Sequence, residues 1–114
     1  MPKLRLMHTM LRVQDLEKSI KFYTELLGMQ LIRTADFPDG KFTLAFLGYG
    51  PEETHTVLEL TYNYDHGPYD KGTGYGHIAL ETDDIYATTE VLRQAGAEIN
   101  GAGSLFRSRG IGKL

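Results

Sequence analysis

Apolar and polar residues are interspersed along residues 5–13 (RLMHTMLRV), which read as a half-buried strand. Asp15 then stands where a helix cap belongs, and Leu16, Ile20, Tyr23 and Leu27 fall on one face of a helix that Gly28 can end. Residues 29–37 and 41–48 flank the turn signal PDG and read as a hairpin, and THTVLELTYN reads as a further strand. The order so far is β-α-β-β-β. A stretch rich in Gly and Asp, YDHGPYDKGTGYG (64–76), follows as a linker, and then the pattern restarts. GHIALET reads as a strand, Asp84 as a second cap, and Ile85, Thr89 and Leu92 as one helix face before Gly96; AEIN opens what reads as another strand.

The restart is a repeat. Aligned on histidine, HIALETDDI (77–85) lies over HTMLRVQDL (8–16), with an offset of 69 residues at the histidines and 68 at the helix-ending glycines. A repeat of this length marks a duplicated supersecondary unit. The expected fold class is therefore α+β, built from paired βαβββ modules with the second one truncated. Residues 1–63 form the first module, 64–76 the linker, and 77–100 a partial second module that stops after β-α and the start of a strand. Residues 101–114 (GAGSLFRSRGIGKL) form a Gly/Ser-rich basic end without periodicity, which reads as flexible.

Composition narrows the class. Residues 1–100 carry nine Lys/Arg against fifteen Asp/Glu, so the body is acidic, and the three remaining basic residues all lie in the tail. An acidic body argues against nucleic acid as a partner. No apolar run approaches the ~18 residues of a membrane helix, and no signal-peptide pattern opens the chain, so the expectation is a cytoplasmic protein without a membrane partner. With no cysteine, a metal would have to sit on His, Glu or Asp.

Residues two apart in a strand share a face. His8, Met10 and Arg12 therefore point one way, as do Val57, Glu59, Thr61 and Asn63 in the later strand, and His77, Ala79 and Glu81 in the repeat. Two patterns result, His-x-x-x-Arg and Glu-x-x-x-Asn. Each sets a metal-ligand type about 13 Å along the strand from a binder of carboxylate or amide groups. A lone histidine in a strand is commonly structural, and Glu59 could be a solvated residue on an open sheet face. The recurrence of the histidine at the same strand position favours a shared role. Two histidines and a glutamate suit a divalent ion of the Zn, Ni, Co or Fe(II) type. His55 and His66 lie in turn-rich loops and are assigned no role.

The blocks LMHTMLRVQDLEKSIKFYTELLGMQLIR, KFTLAFLGYGPE, TVLELTYNY and YGHIAL, in this order, resemble glyoxalase I (lactoylglutathione lyase) of the vicinal-oxygen-chelate superfamily, and the resemblance covers residues 4 to about 99. It implies paired βαβββ modules curved around a metal. It implies metal ligation by His8, Glu59 and His77, and contacts from Arg12 and Asn63 to the glutathione part of the substrate. The implied metal is Ni²⁺, with Zn²⁺ or Co²⁺ as alternatives. The implied reaction is isomerisation of the methylglyoxal–glutathione hemithioacetal to S-lactoylglutathione, a detoxification of methylglyoxal. The implied assembly is a homodimer with the site at its interface.

In that family a glutamate in the last strand of the second module is both fourth ligand and proton shuttle. Glu59 follows His8 by 51 residues, so the same interval after His77 runs past Leu114, and the catalytic residue stays unassigned. Two further readings share the superfamily. An Fe(II) extradiol dioxygenase would use two histidines and a carboxylate, although there the carboxylate comes from the second module. A metal-free small-molecule-binding module would have no use for the His-x-x-x-Arg and Glu-x-x-x-Asn patterns.

Overall fold

Four strands and one helix follow one another in the first half of the chain in the order that the polar–apolar pattern predicts. β1 spans His8–Arg12, α1 Leu16–Lys21, β2 Gln30–Phe37, β3 Phe42–Gly48 and β4 Val57–Asn63. The structure is a computed structural model that describes residues 1–99, in two units: Met1–Tyr69, and the stretch from Asp70 on.

In the first unit the strands form one sheet in the order β1-β4-β3-β2. β1 runs parallel to β4, and β3 is antiparallel to both its neighbours. A parallel pair needs a crossover, and here α1 with the β2–β3 hairpin supplies it. The Asp15 carboxylate caps α1 by accepting from the Lys18 amide at 3.1 Å. The helix then widens into a π turn over Phe22–Leu26, and Gly28 leaves it at φ +73°. That left-handed conformation suits glycine, as Gly28 in the sequence suggests.

The two faces of this sheet differ. Val13, Ala45, Leu47, Leu58 and Leu60 are buried on one of them, and Tyr23, beyond α1, is fully buried. At ~25 cal/mol per Å² of apolar surface this layer is the main stabilising element of the unit. The other face carries His8, Glu59, Asn63 and their neighbours.

A bulge within β2 changes what that face carries. Leu31 pairs with Leu47, yet Arg33 pairs with Phe46, so one extra residue sits in β2. Leu31 and Arg33 would share a face in a regular strand; the bulge turns Arg33 to the opposite one.

In the second unit, α2 spans Ile85–Gln94. The Asp84 carboxylate accepts from the Ala87 amide at 3.0 Å, and Gly96 ends the helix at φ +93°. Thr89 and Leu92, two of the three residues expected on its inner face, are buried. The strand expected over GHIALET does not form as a ladder: no strand is assigned in residues 77–99, the start of AEIN included. Alternation measures only which side chains share a face, whereas a strand exists through hydrogen bonds to a neighbour. The expectations for Asn100 and for the basic end 101–114 lie outside the described residues. Among the described residues, no helix is long and apolar enough to cross a membrane.

Candidate functional site

The register lines up cross-strand rows on the open face of the first unit. Met10 lies opposite Glu59, Glu59 opposite Phe46, and Phe46 opposite Arg33. One row towards the start of β1, His8 lies opposite Val57. His8 and Glu59 are thus diagonal neighbours on adjacent strands, and His8 Nε2 comes within 3.1 Å of Glu59 Oε1. The carboxylate is the more enclosed partner, 15% exposed against 39% for the imidazole. Thr61 donates to its other oxygen at 3.4 Å.

Phe46 and Arg33 back this pair. Phe46 is buried and meets the His8 ring edge-on, with centroids 5.8 Å apart and planes at 81°. The Arg33 guanidinium lies 3.7 Å from the Phe46 centroid, a cation–π contact. Glu52 holds Arg33 through two hydrogen bonds of 2.9 and 3.2 Å. The Glu52 backbone carbonyl in turn accepts from Arg5 at 2.7 Å. The hydrogen bond from Arg33 holds the Glu52 carboxyl below the usual glutamate range, and the same contact raises the already high Arg33 value. Imidazole, ring and guanidinium form a chain of contacts, edge-on between His8 and Phe46 and face-on between Phe46 and Arg33.

Gly48 makes room for this arrangement at the end of β3. A Cβ there would sit 2.9 Å from Val57 Cγ1, and Val57 is the buried residue opposite His8.

Arg12 and Asn63 lie at the other end of the same face. Arg12 is opposite Thr61, and Asn63, two residues beyond Thr61, is opposite Phe42. The guanidinium of Arg12 is exposed and makes no hydrogen bond or ion pair among the described residues. The Asn63 carbonyl oxygen accepts from the Tyr69 hydroxyl at 3.2 Å.

The structure therefore brings His8 and Glu59 into contact, with Arg12 and Asn63 further along their shared face. His77 belongs to the second unit, exposed, in the irregular stretch before α2. No group of three His, Cys, Asp or Glu side chains able to hold a metal occurs among the described residues.

The two donors in the first unit do fit a divalent ion as half of its ligand set. Bonds of about 2.1 Å at angles from about 90° to 109° place two ligand atoms roughly 3.0–3.4 Å apart, which brackets the observed 3.1 Å. Imidazole nitrogen with carboxylate oxygen is a donor set for Zn- and Ni-type ions.

Sequence reasoning missed Arg33, Phe46, Glu52 and Tyr69. Phe46 looks like core, and Arg33 reaches the face only through a bulge that carries no Gly or Pro signal. An arginine directly after the apolar pair Leu31-Ile32 was the one available hint.

This β-α-β-β-β unit, with one helix beneath the sheet and polar groups on its open face, has counterparts among known proteins. The pattern of the Glyoxalase/Bleomycin resistance protein/Dioxygenase superfamily matches residues 5–103, and the chain belongs to it. Within that superfamily it is similar to the lactoylglutathione lyase of Neisseria meningitidis, at 56% identity over 103 residues that cover 90% of this chain and 75% of the relative. Among solved structures it resembles a trypanothione-dependent glyoxalase I of Leishmania major, with a TM-score of 0.83 and 49% identity, covering 87% of this chain and 71% of that one. Glyoxalase I of Zea mays matches with a TM-score of 0.82 and 49% identity, covering 86% of this chain and 35% of the maize protein.

Proposed function

We propose that this protein is a glyoxalase I type lyase that isomerises the hemithioacetal of methylglyoxal and glutathione to S-lactoylglutathione. The observation that carries the reading is the His8–Glu59 contact on a face whose far end bears Arg12 and Asn63. The similarity to proteins named lactoylglutathione lyase supports it and speaks against the dioxygenase and metal-free binding readings.

In this proposal His8 Nε2 and a Glu59 oxygen hold a divalent ion, with His77 as the third protein ligand implied by the family resemblance. Ni²⁺ is the proposed metal, with Zn²⁺ and Co²⁺ as alternatives. Such an ion, when bound, supplies Lewis-acid stabilisation of negative charge on the substrate oxygens. Arg12 and Asn63 bind the peptide part of the thiol and set its distance from the reacting carbons. Phe46, under the Arg33 guanidinium, packs edge-on against the His8 imidazole. The reaction moves a proton between adjacent carbons and needs a base within hydrogen-bond reach. No described residue is assigned that role.

The proposed assembly is a homodimer. β1 is an edge of the first unit's sheet, and Leu4, Leu6, Met7 and Met10 are exposed in or just before it. An apolar strand edge of this kind favours cover by a second copy. The proposed location is the cytoplasm.

The test is absorbance-monitored formation of S-lactoylglutathione by protein stripped with a chelator and reloaded with Ni²⁺ or Zn²⁺. Turnover should appear only on reloading, and Glu59→Gln should bind the metal more weakly in calorimetry. Undiminished turnover in the stripped protein would refute the metal role. Soluble, folded, metal-loaded protein without any turnover would refute the lyase assignment.

A further inference from the structure

The bulge in β2 sets a cation beside the two metal-ligand candidates of the first unit. Arg33, Phe46 and Glu59 lie in one cross-strand row over β2, β3 and β4. Neighbouring strands are about 4.8 Å apart, so the backbones of Arg33 and Glu59 are about 10 Å apart, a gap that their two side chains can close between them. Arg33 already leans into that gap. Its guanidinium lies 3.7 Å from the centroid of the Phe46 ring, which stands between it and Glu59. A guanidinium presents five N–H donors in a planar fork that grips a carboxylate at two points. Left without a partner, Arg33 would compete with a divalent ion for the Glu59 oxygens.

Glu52 is the partner that occupies it. The Glu52 carboxylate accepts from Arg33 Nε at 2.9 Å and from Nη2 at 3.2 Å, and so uses the fork that fits a carboxylate. This hydrogen bonding is the main cause of the raised Arg33 value, and the charge of Glu59 adds to it from across the ring. Glu52 is held in turn by its own loop. Its carbonyl accepts from Arg5 at 2.7 Å, and the Thr54 and His55 amides both donate to the Pro51 carbonyl beside it. The end of the loop is tied to the residues before β1, with the Thr56 hydroxyl on the Leu6 carbonyl at 2.6 Å and the Val57 amide on the Met7 carbonyl at 3.0 Å. Among the described residues Arg33 forms an ion pair with Glu52 and none with Glu59. The Glu59 oxygens face His8 at 3.1 Å and Thr61 at 3.4 Å. We propose that Glu52 is a positioning residue that captures the Arg33 guanidinium and thereby keeps the Glu59 carboxylate available to a divalent cation. The inference rests on the proposed metal role of Glu59 and adds to it the residue that protects that ligand.

The experiment is a double-mutant cycle on the full chain, using Glu52→Ala, Arg33→Met and the double variant. Each protein is stripped with a chelator and titrated with Ni²⁺ in a calorimeter, after a melting curve has established that it is folded at the titration temperature. Met keeps an apolar chain on Phe46 and removes the cation. Glu52→Ala should weaken Ni²⁺ about three- to fivefold, the upper part of the range for an ion pair near the surface. Glu52→Gln keeps one acceptor for Arg33 without the charge and should lose less; it takes the place of Glu52→Ala in the cycle if the alanine variant does not fold. Arg33→Met alone should bind Ni²⁺ at least as tightly as the wild type. In the Arg33→Met background, loss of Glu52 should cost less than about twofold, the screened effect of a charge outside the ligand set.

An equal loss in both backgrounds overturns the proposal, because Glu52 would then act through its own charge or its loop and not through Arg33. Undiminished Ni²⁺ affinity in folded Glu52→Ala overturns it as well and leaves the metal role of Glu59 standing. Weaker binding by Arg33→Met than by the wild type also overturns it, since Arg33 would then support the site. Wild-type protein that binds no Ni²⁺ overturns the metal role of Glu59 and this inference with it.

Discussion

A methyl group added at Gly48 sets two opposed effects against each other beside the His8–Glu59 pair. Gly48 does not adopt a left-handed φ, so alanine fits its backbone. Through the lower entropy of the unfolded chain that change alone stabilises by about 0.4–1 kcal/mol. Against it stands the contact with Val57. The new Cβ would lie 2.9 Å from Cγ1, 3.4 Å from Cβ and 3.5 Å from Cα of that residue. Carbon atoms prefer ~3.5–4.0 Å, so Cγ1 must retreat by roughly 0.6 Å or more. Val57 has little freedom to do so. It is 3% exposed, its branched side chain is stiff about χ1, and its amide donates to the Met7 carbonyl at 3.0 Å. Overpacking of this kind costs about 1–3 kcal/mol, so the clash wins and Gly48→Ala should lose about 1–2 kcal/mol. For a protein of this size each kcal/mol lowers Tm by about 4–8 °C. Thermal melts followed by circular dichroism measure the loss, and Gly74→Ala is the control, with nothing within 4 Å of its Cβ among the described residues. In a Val57→Ala background the penalty should vanish or reverse, because the clashing methyl is gone. An equal penalty in both backgrounds would refute the reasoning. Val57 also lies two residues before Glu59, so Gly48→Ala should weaken divalent-metal binding as well.

Two further outcomes follow from the electrostatics and the caps. Glu52 has its pKa lowered in the folded state by Arg33, so its contribution to stability is fully present above the ordinary glutamate value of about 4.3 and is lost as the pH falls through the lower folded-state value. Urea melts across pH should show Glu52→Gln less stable than wild type at neutral pH and indistinguishable from it at the acid end; a gap that persists undiminished in acid would refute the pairing. Asp84→Ala removes the acceptor for the Ala87 amide and should destabilise α2 by about 1 kcal/mol. Faster hydrogen exchange at that amide is the expected readout, and unchanged protection would show that the cap contributes nothing.

Much of the fold could be read from local chemistry. The Asp15 and Asp84 caps, the helix exits at Gly28 and Gly96, and the β-α-β-β-β order all recur in the structure, because each depends on a few neighbouring residues. Alternation also assigned His8, Arg12, Glu59 and Asn63 to faces correctly within each strand. The strand expected over GHIALET shows the limit of the same signal. Its sequence resembles that of β1, but β1 has β4 to bond with and residues 77–82 have no ladder among the described residues.

What the sequence determined by itself, then, was which residues share a face and where each element starts and stops, since those are properties of three to five consecutive residues. Distances across strands were not available to it. That His8 reaches Glu59 rather than Val57 or Thr61 depends on the β1–β4 register, which arises from pairing between segments some fifty residues apart. The bulge in β2 brings Arg33 to the Phe46 ring, against the period-two expectation, and a fold-back after β4 brings Tyr69 to Asn63. Register, bulge and fold-back are settled by which packing and hydrogen bonds the whole sheet can satisfy together, so only the tertiary structure decided them.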